Sequence, residues 1–224
     1  MLSAAWTIAG KDLRLVLCRG VGLVQALLLG LLLIFVFSLS RETGAQVSGQ
    51  SAAVIFWLAS AFCQVLSFNM LYGMEENGAR EGLLLMPFPV QAVWLGKALA
   101  GLIILLIAQC FFLPAGIVFL GQTTGEGWPL ALLALVLVDL GMAALGSLLG
   151  ALSQGQAARE SLLSIILFPL IVPILLAGIR LCTGGLADGT TEGMTSWLGI
   201  VVAFDAIFLA AGLFLFPFVF SGDE

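Results

Sequence analysis

Residues 23–37 read LVQALLLGLLLIFVF, with Gln25 the single polar side chain and no charge. Inside hydrocarbon no water is available to the backbone, so a segment this apolar spans a bilayer either as a helix or as a strand of a closed barrel. A barrel strand alternates apolar and polar at every second residue. This stretch is apolar on every face, which makes it a helix. The rest of the chain agrees: 61% of its residues are hydrophobic, 9% are charged and the mean hydropathy is +1.17. Such a composition belongs to an all-α integral membrane protein.

Outward from this segment, the charges bound the spans. There are 21 uncharged residues between Arg19 and Arg41, 32 between Glu42 and Glu75, and 28 between Lys97 and Glu126. Each exceeds the roughly 20 residues needed to cross a core of about 30 Å. The second half is interrupted by Asp139 and Asp205 but still reads as spans. The expected architecture is one transmembrane domain, 1–224, with about six helices at 21–40, 52–72, 93–120, 129–152, 161–180 and 197–220. An amino terminus inside the cytoplasm places Lys11, Arg14, Arg19, Arg80, Lys97 and Arg159 inside and only Arg41 and Arg180 outside, as the positive-inside rule asks. Both termini are then cytoplasmic. The net charge of −5 is no objection, because acidic residues contribute little to that rule.

Before the first span, residues 3–19 put Trp6, Ala9, Leu13, Val16 and Leu17 on one helical face and Thr7, Lys11, Arg14 and Cys18 on the other. The pattern suits an amphipathic helix lying in the membrane surface; the alternative is a basic anchor continuing the first span. The apolar run from Val21 is too long for the 7–15-residue core of a cleaved signal. Within the first span Gly22, Ala26 and Gly30 recur at four-residue spacing, a stripe that lets another helix approach. That helix can belong to this chain or to a second copy in a homodimer.

The island at 73–97, GMEENGAREGLLLMPFPVQAVWLGK, concentrates charge in a chain that has little. Glu75, Glu76 and Glu81 lead into Leu83, Leu84 and Leu85, and Pro87 and Pro89 then end the helical run. A short helix of this kind under the membrane can sit in a groove of a soluble partner and transmit a push. A solvated connector is the competing reading, but a connector has no need of the apolar run 83–88. Lys97 lies near enough to the interface for its ammonium to snorkel.

These residues resemble a known family. An acidic pair, Gly78, Glu81, the leucine cluster, the Pro87-x-Pro89 turn and Lys97 are similar to the coupling loop of ABC-2-type transporter permeases. MPFPVQAVWLGK, together with SLLSIILFPLIVPILLAGI at 161–179, makes the chain resemble the CcmB family, the haem exporter B subunits of cytochrome c maturation, over essentially its whole length. The resemblance implies a bacterial inner-membrane permease subunit, working with a CcmA-like ATPase, CcmC-like and CcmD-like membrane proteins and the CcmE-like haem chaperone. It further implies that ATP hydrolysis on CcmA drives release of haem-loaded CcmE. The coupling residues carried over are Glu75, Glu76, Gly78, Glu81, Leu83, Leu84, Pro87 and Pro89, in a loop at 73–92. Another cargo for the same architecture, such as a lipid-linked sugar or a drug, and a scaffold without transport are the alternatives.

The remaining candidates carry less chemistry. Asp139 and Asp205 lie inside spans, where an ionisable group is a functional hypothesis by default; a proton relay or substrate contact competes with neutral burial or a hydrogen bond to a neighbouring helix. Pro169 and Pro173, one turn apart, bend or break the fifth span and are candidate hinges. The outer segment 181–196 reads as the longest external piece. No histidine is present, so Ser-His-Asp catalysis, histidine-ligated zinc and histidine-ligated haem are all excluded. Cys18, Cys63, Cys110 and Cys182 form no C-x-x-C pair and read as packing residues. The chain has no Walker A sequence. We therefore expect a non-catalytic subunit with no metal and no directly bound cofactor, ATP and haem being held by partner subunits. The lipid bilayer is its solvent, and no nucleic-acid partner is expected.

Overall fold

The computed structural model describes residues 1–40, 47–73, 89–123, 127–153, 159–186 and 193–221. Their regular structure is entirely helical: α1 Leu2–Arg19, α2 Val21–Leu39, α3 Gly49–Gly73, α4 Gln91–Leu120, α5 Trp128–Leu152, α6 Arg159–Leu186 and α7 Met194–Ser221. Among the described residues, the six helices α2 to α7 are long and apolar enough to cross a membrane. The protein is thus a multi-pass membrane protein. Sequence signals account for the ends. Pro129 occupies the first turn of α5, where its missing N–H costs nothing. Gly121 closes α4 in the left-handed conformation, φ 65°.

Two sequence readings change here. The helix of the fifth span does not stop at Arg180: α6 continues to Leu186, so 181–186 of the expected outer segment are helical. Cys182 is buried in it, and the Thr183 hydroxyl donates to the Ile179 carbonyl at 2.6 Å. Pro169 and Pro173 do not break this helix, which is continuous through both. They stand on its exposed side while Leu167, Ile171, Ile174 and Ala177 point inward.

The spanning helices alternate in direction. α3 and α5 form the interior, α2 packs on α3 and α4, and α6 and α7 close the other side against α5. Lipid gives no hydrophobic drive for helix association, so the bundle depends on close packing at small residues. The device used repeatedly is a large ring set against a glycine. Phe68 fills the space at Gly101 and Gly146, Tyr72 that at Gly150, Trp94 that at Gly212, Trp57 that at Gly178 and Phe112 that at Gly30, leaving no room for a Cβ. The stripe in α2 is used in the same way. Gly22 meets Met70, Gly30 meets Phe112 and Ala26 is buried, so in this structure all three positions serve contacts within one chain.

α1 has three faces rather than two. Thr7, Lys11, Arg14 and Cys18 are exposed, as the sequence pattern puts them on a polar side. Ala5, Ile8, Ala9, Asp12 and Val16 are buried, and this side packs along α4, with Ile8 and the Ala5 carbonyl against Gly96. Leu2, Trp6 and Leu17 are exposed apolar residues between these sides, Trp6 at 65% and Leu17 at 57%. The predicted apolar face thus divides into a protein-facing and an outward-facing part, because a helix lying on a bundle in a membrane surface has two apolar neighbours to satisfy.

Candidate coupling site

The chain leaves the bundle at Gly73, the end of α3, and returns at Gln91, the start of α4. The predicted coupling residues Glu75, Glu76, Gly78, Glu81, Leu83, Leu84 and Pro87 lie between these points and outside the described residues. Pro89 is described. Its carbonyl accepts the Ala92 N–H at 2.8 Å, and that of Val90 accepts the Val93 N–H at 2.9 Å, opening the first turn of α4. The geometry available is that of the two roots from which the coupling segment springs.

Both roots are tied to one buried cation. Lys97 is fully buried, so its ammonium does not snorkel as the sequence suggested. Position 97 lies on the side of α4 that faces α3 and α1, and a stem directed there has no path to water. An enclosed ammonium needs an anion and acceptors around it. Its Nζ donates to the Leu71 carbonyl at 2.9 Å and to Asp12 Oδ2 at 3.4 Å, and stands 4.7 Å from the centroid of the Tyr72 ring, within cation–π range. The other oxygen of Asp12 pairs with Lys11 Nζ at 2.9 Å.

A second chain of bonds runs alongside. Ser147 donates to the Trp94 carbonyl at 3.0 Å, which commits its hydroxyl proton. The 2.8 Å contact between Tyr72 and Ser147 is then donated by tyrosine. The last turn of α3, the first turns of α4, Ser147 of α5 and Asp12 of α1 are consequently one bonded unit. Sequence reading missed Asp12 and Ser147. A carboxylate on the buried side of an amphipathic helix was the available signal for Asp12, but its partner is 85 residues away.

The intramembrane acids lie elsewhere and are not brought together. Asp139 is fully buried halfway along α5, and its Oδ1 accepts from Gln109 Nε2 at 2.9 Å. The same amide donates to Ser60 Oγ at 3.2 Å, while the Ser60 hydroxyl donates to the Phe56 carbonyl at 3.0 Å. One turn along α3, the Gln64 amide donates to the Met142 carbonyl. Asp205 of α7 abuts Gly141. Residues 139 and 141 are about 200° apart around a helix, so the two acids meet opposite sides of α5. Among the described residues no group of three or more Cys, Asp or Glu could hold a metal ion. Cys63 and Cys182 are buried, Cys18 and Cys110 exposed, and all four are free thiols.

Comparison with known proteins adds to this geometry. The family model described as CcmB protein matches residues 3–221. A protein named heme exporter protein B from Pseudomonas aeruginosa (strain PAO1) is 26% identical over 202 residues, 88% of each chain. Another of that name from Paracoccus denitrificans (strain Pd 1222) is 28% identical over 216 residues, covering 93% of this chain and 92% of the relative.

Proposed function

The chain belongs to the CcmB family, and from that premise we propose that it is the membrane permease subunit of an ABC-type haem-export complex serving cytochrome c maturation. In this reading the segment 73–92 receives the motion of a CcmA-like ATPase and passes it into the bundle. ATP is held by that ATPase, and haem is cargo handled with CcmC-like, CcmD-like and CcmE-like partners. The output is release of haem-loaded chaperone from the complex in the bacterial inner membrane, with both termini on the cytoplasmic side. This subunit itself makes and breaks no covalent bond.

The observation that carries the reading is the buried cation Lys97, shared by both roots. A segment hanging from two independently mobile helix ends would absorb a push by bending. Here Lys97 bonds the last turn of α3 at Leu71 and the docked helix α1 at Asp12. Tyr72 and Ser147 add α5. Movement of the segment is therefore shared by four helices, as coupling to an ATPase requires.

Affinity purification of the protein in mild detergent tests the partners: an ATPase subunit should co-purify with haem-handling proteins. Glu75→Lys, Glu81→Lys or Leu84→Lys should detach the ATPase or uncouple its hydrolysis while leaving the protein inserted. Retained binding and coupling in all three variants would overturn the assignment of the segment. Normal cytochrome c content in a deletion strain would overturn the assignment of the cargo.

A further inference from the structure

The cluster around Asp139 is one donor short. Gln109 Nε2 gives its two protons to Asp139 Oδ1 and Ser60 Oγ. Ser60 has already given its proton to the Phe56 carbonyl, so it needs a donor, and this fixes the Gln109 amide with nitrogen toward Ser60 and Asp139. Two buried oxygens remain without a partner, Asp139 Oδ2 and Gln109 Oε1. They belong to the same two side chains that already share a bond. Two acceptors cannot bond each other, and a buried acceptor without a donor is costly.

The geometry points to Asp139 and Gln109 as a proton-binding pair. The Asp139 carboxyl carries a proton on Oδ2 and donates it to Gln109 Oε1, closing an acid–amide ring between α5 and α4. The step is proton uptake alone: carboxylate and proton combine to give the neutral acid, and no electron moves. One proton satisfies both orphan oxygens and removes a charge from the membrane interior, where it is expensive.

Among the described side chains, the titratable groups on the surrounding helices offer no competing cation. α3 contributes Cys63, α6 contributes Cys182, and α7 contributes Asp205 on the far side of α5. On α4, Lys97 is three turns nearer the helix start and bonded to Asp12, and Cys110 is exposed. Arg180 of α6 is exposed. No described ion pair reaches Asp139.

The test is infrared spectroscopy of the full-length protein in lipid nanodiscs at neutral pH, in sodium buffer and with choline replacing sodium. Wild type should show a protonated-carboxyl C=O stretching band that Asp139→Asn removes. The band should persist in Gln109→Leu but move to higher frequency, since the acid has lost its amide acceptor. A wild-type minus Asp139→Asn difference made of carboxylate bands would overturn the proposal. So would a carboxyl band that appears only without sodium, which would make the cluster a metal-cation site, or an unmoved band in Gln109→Leu. Failure of Asp139→Asn to fold would also overturn it, because the asparagine NH2 donates to Gln109 Oε1 as the protonated acid does.

Discussion

Where α3 stops and α4 starts, an ammonium is enclosed with a carboxylate, a carbonyl and an aromatic face. Halfway along α5, a carboxyl is enclosed with an amide and a hydroxyl, and two oxygens there lack donors. Both acids are buried, Asp12 at 1% exposure and Asp139 at 0%, so burial does not separate them. What separates them is the partner: a fixed cation in one case and a neutral amide in the other. The first acid must be charged to do its work, the second must not. Position along the bundle fits this, since ionised groups cost most at the membrane centre and least near its ends.

The same isosteric change at the two acids breaks or sharpens this contrast. Asp12→Asn leaves Lys97 enclosed without its counter-charge, and loss of one member of a buried pair costs about 3–5 kcal/mol. Denaturant unfolding in detergent should show that loss, and adding Lys97→Met to the same chain should recover most of it. A loss below about 1 kcal/mol would mean the pair is not what holds α1. Next in size is Gly150→Ala, whose new methyl enters the Tyr72 ring. Overpacking of this kind costs about 1–3 kcal/mol, and it should also loosen ATPase coupling by moving Tyr72 off Ser147. Tyr72→Phe keeps the ring under Lys97 but removes the hydroxyl, for a loss of about 0.5–1.5 kcal/mol in the same unfolding assay. Smallest is Asp139→Asn, whose NH2 stands in for the acid proton toward Gln109 Oε1 so that no buried oxygen loses a donor, and it should change stability less than the other three. A loss as large as that of Asp12→Asn would erase the distinction between the clusters.

Much of the bundle was legible because its signal is local. A run such as 23–37 needs only length and apolarity to declare itself a span, and the observed helices start and stop near the charges that flank them. The glycine spacing in α2 announced close approach, but not that Met70 and Phe112 would be what approached. The extent of α6 was not legible because a charge, Arg180, bounds the apolar run, whereas the helical backbone continues past it to Leu186. The site was legible in a different way. The acidic, leucine-rich segment showed in composition and in its likeness to a family, yet its residues from 75 to 87 lie outside the described structure. The anchorage beneath it was hidden, because Asp12 and Lys97 each look ordinary until folding brings two distant helices together. Ser60, Gln64 and Ser67 did leave a trace, a polar ridge at three- and four-residue spacing in an apolar helix, which marks a buried interhelical contact.

The docking of α1 on α4 also has a consequence for the order of synthesis. The seat for Ala5, Ile8 and Asp12 is built by Gly96 and Lys97, residues the ribosome adds long after α1 has emerged. Made before α2, α3 and α4, α1 therefore waits while two spans enter the membrane, and its exposed Leu2, Trp6 and Leu17 give it somewhere to wait, at the lipid headgroups. Only when α4 arrives can its lysine close on Asp12. That closure follows directly on completion of the segment 73–92, so α1 is locked in place by residues of the helix that the loop leads into.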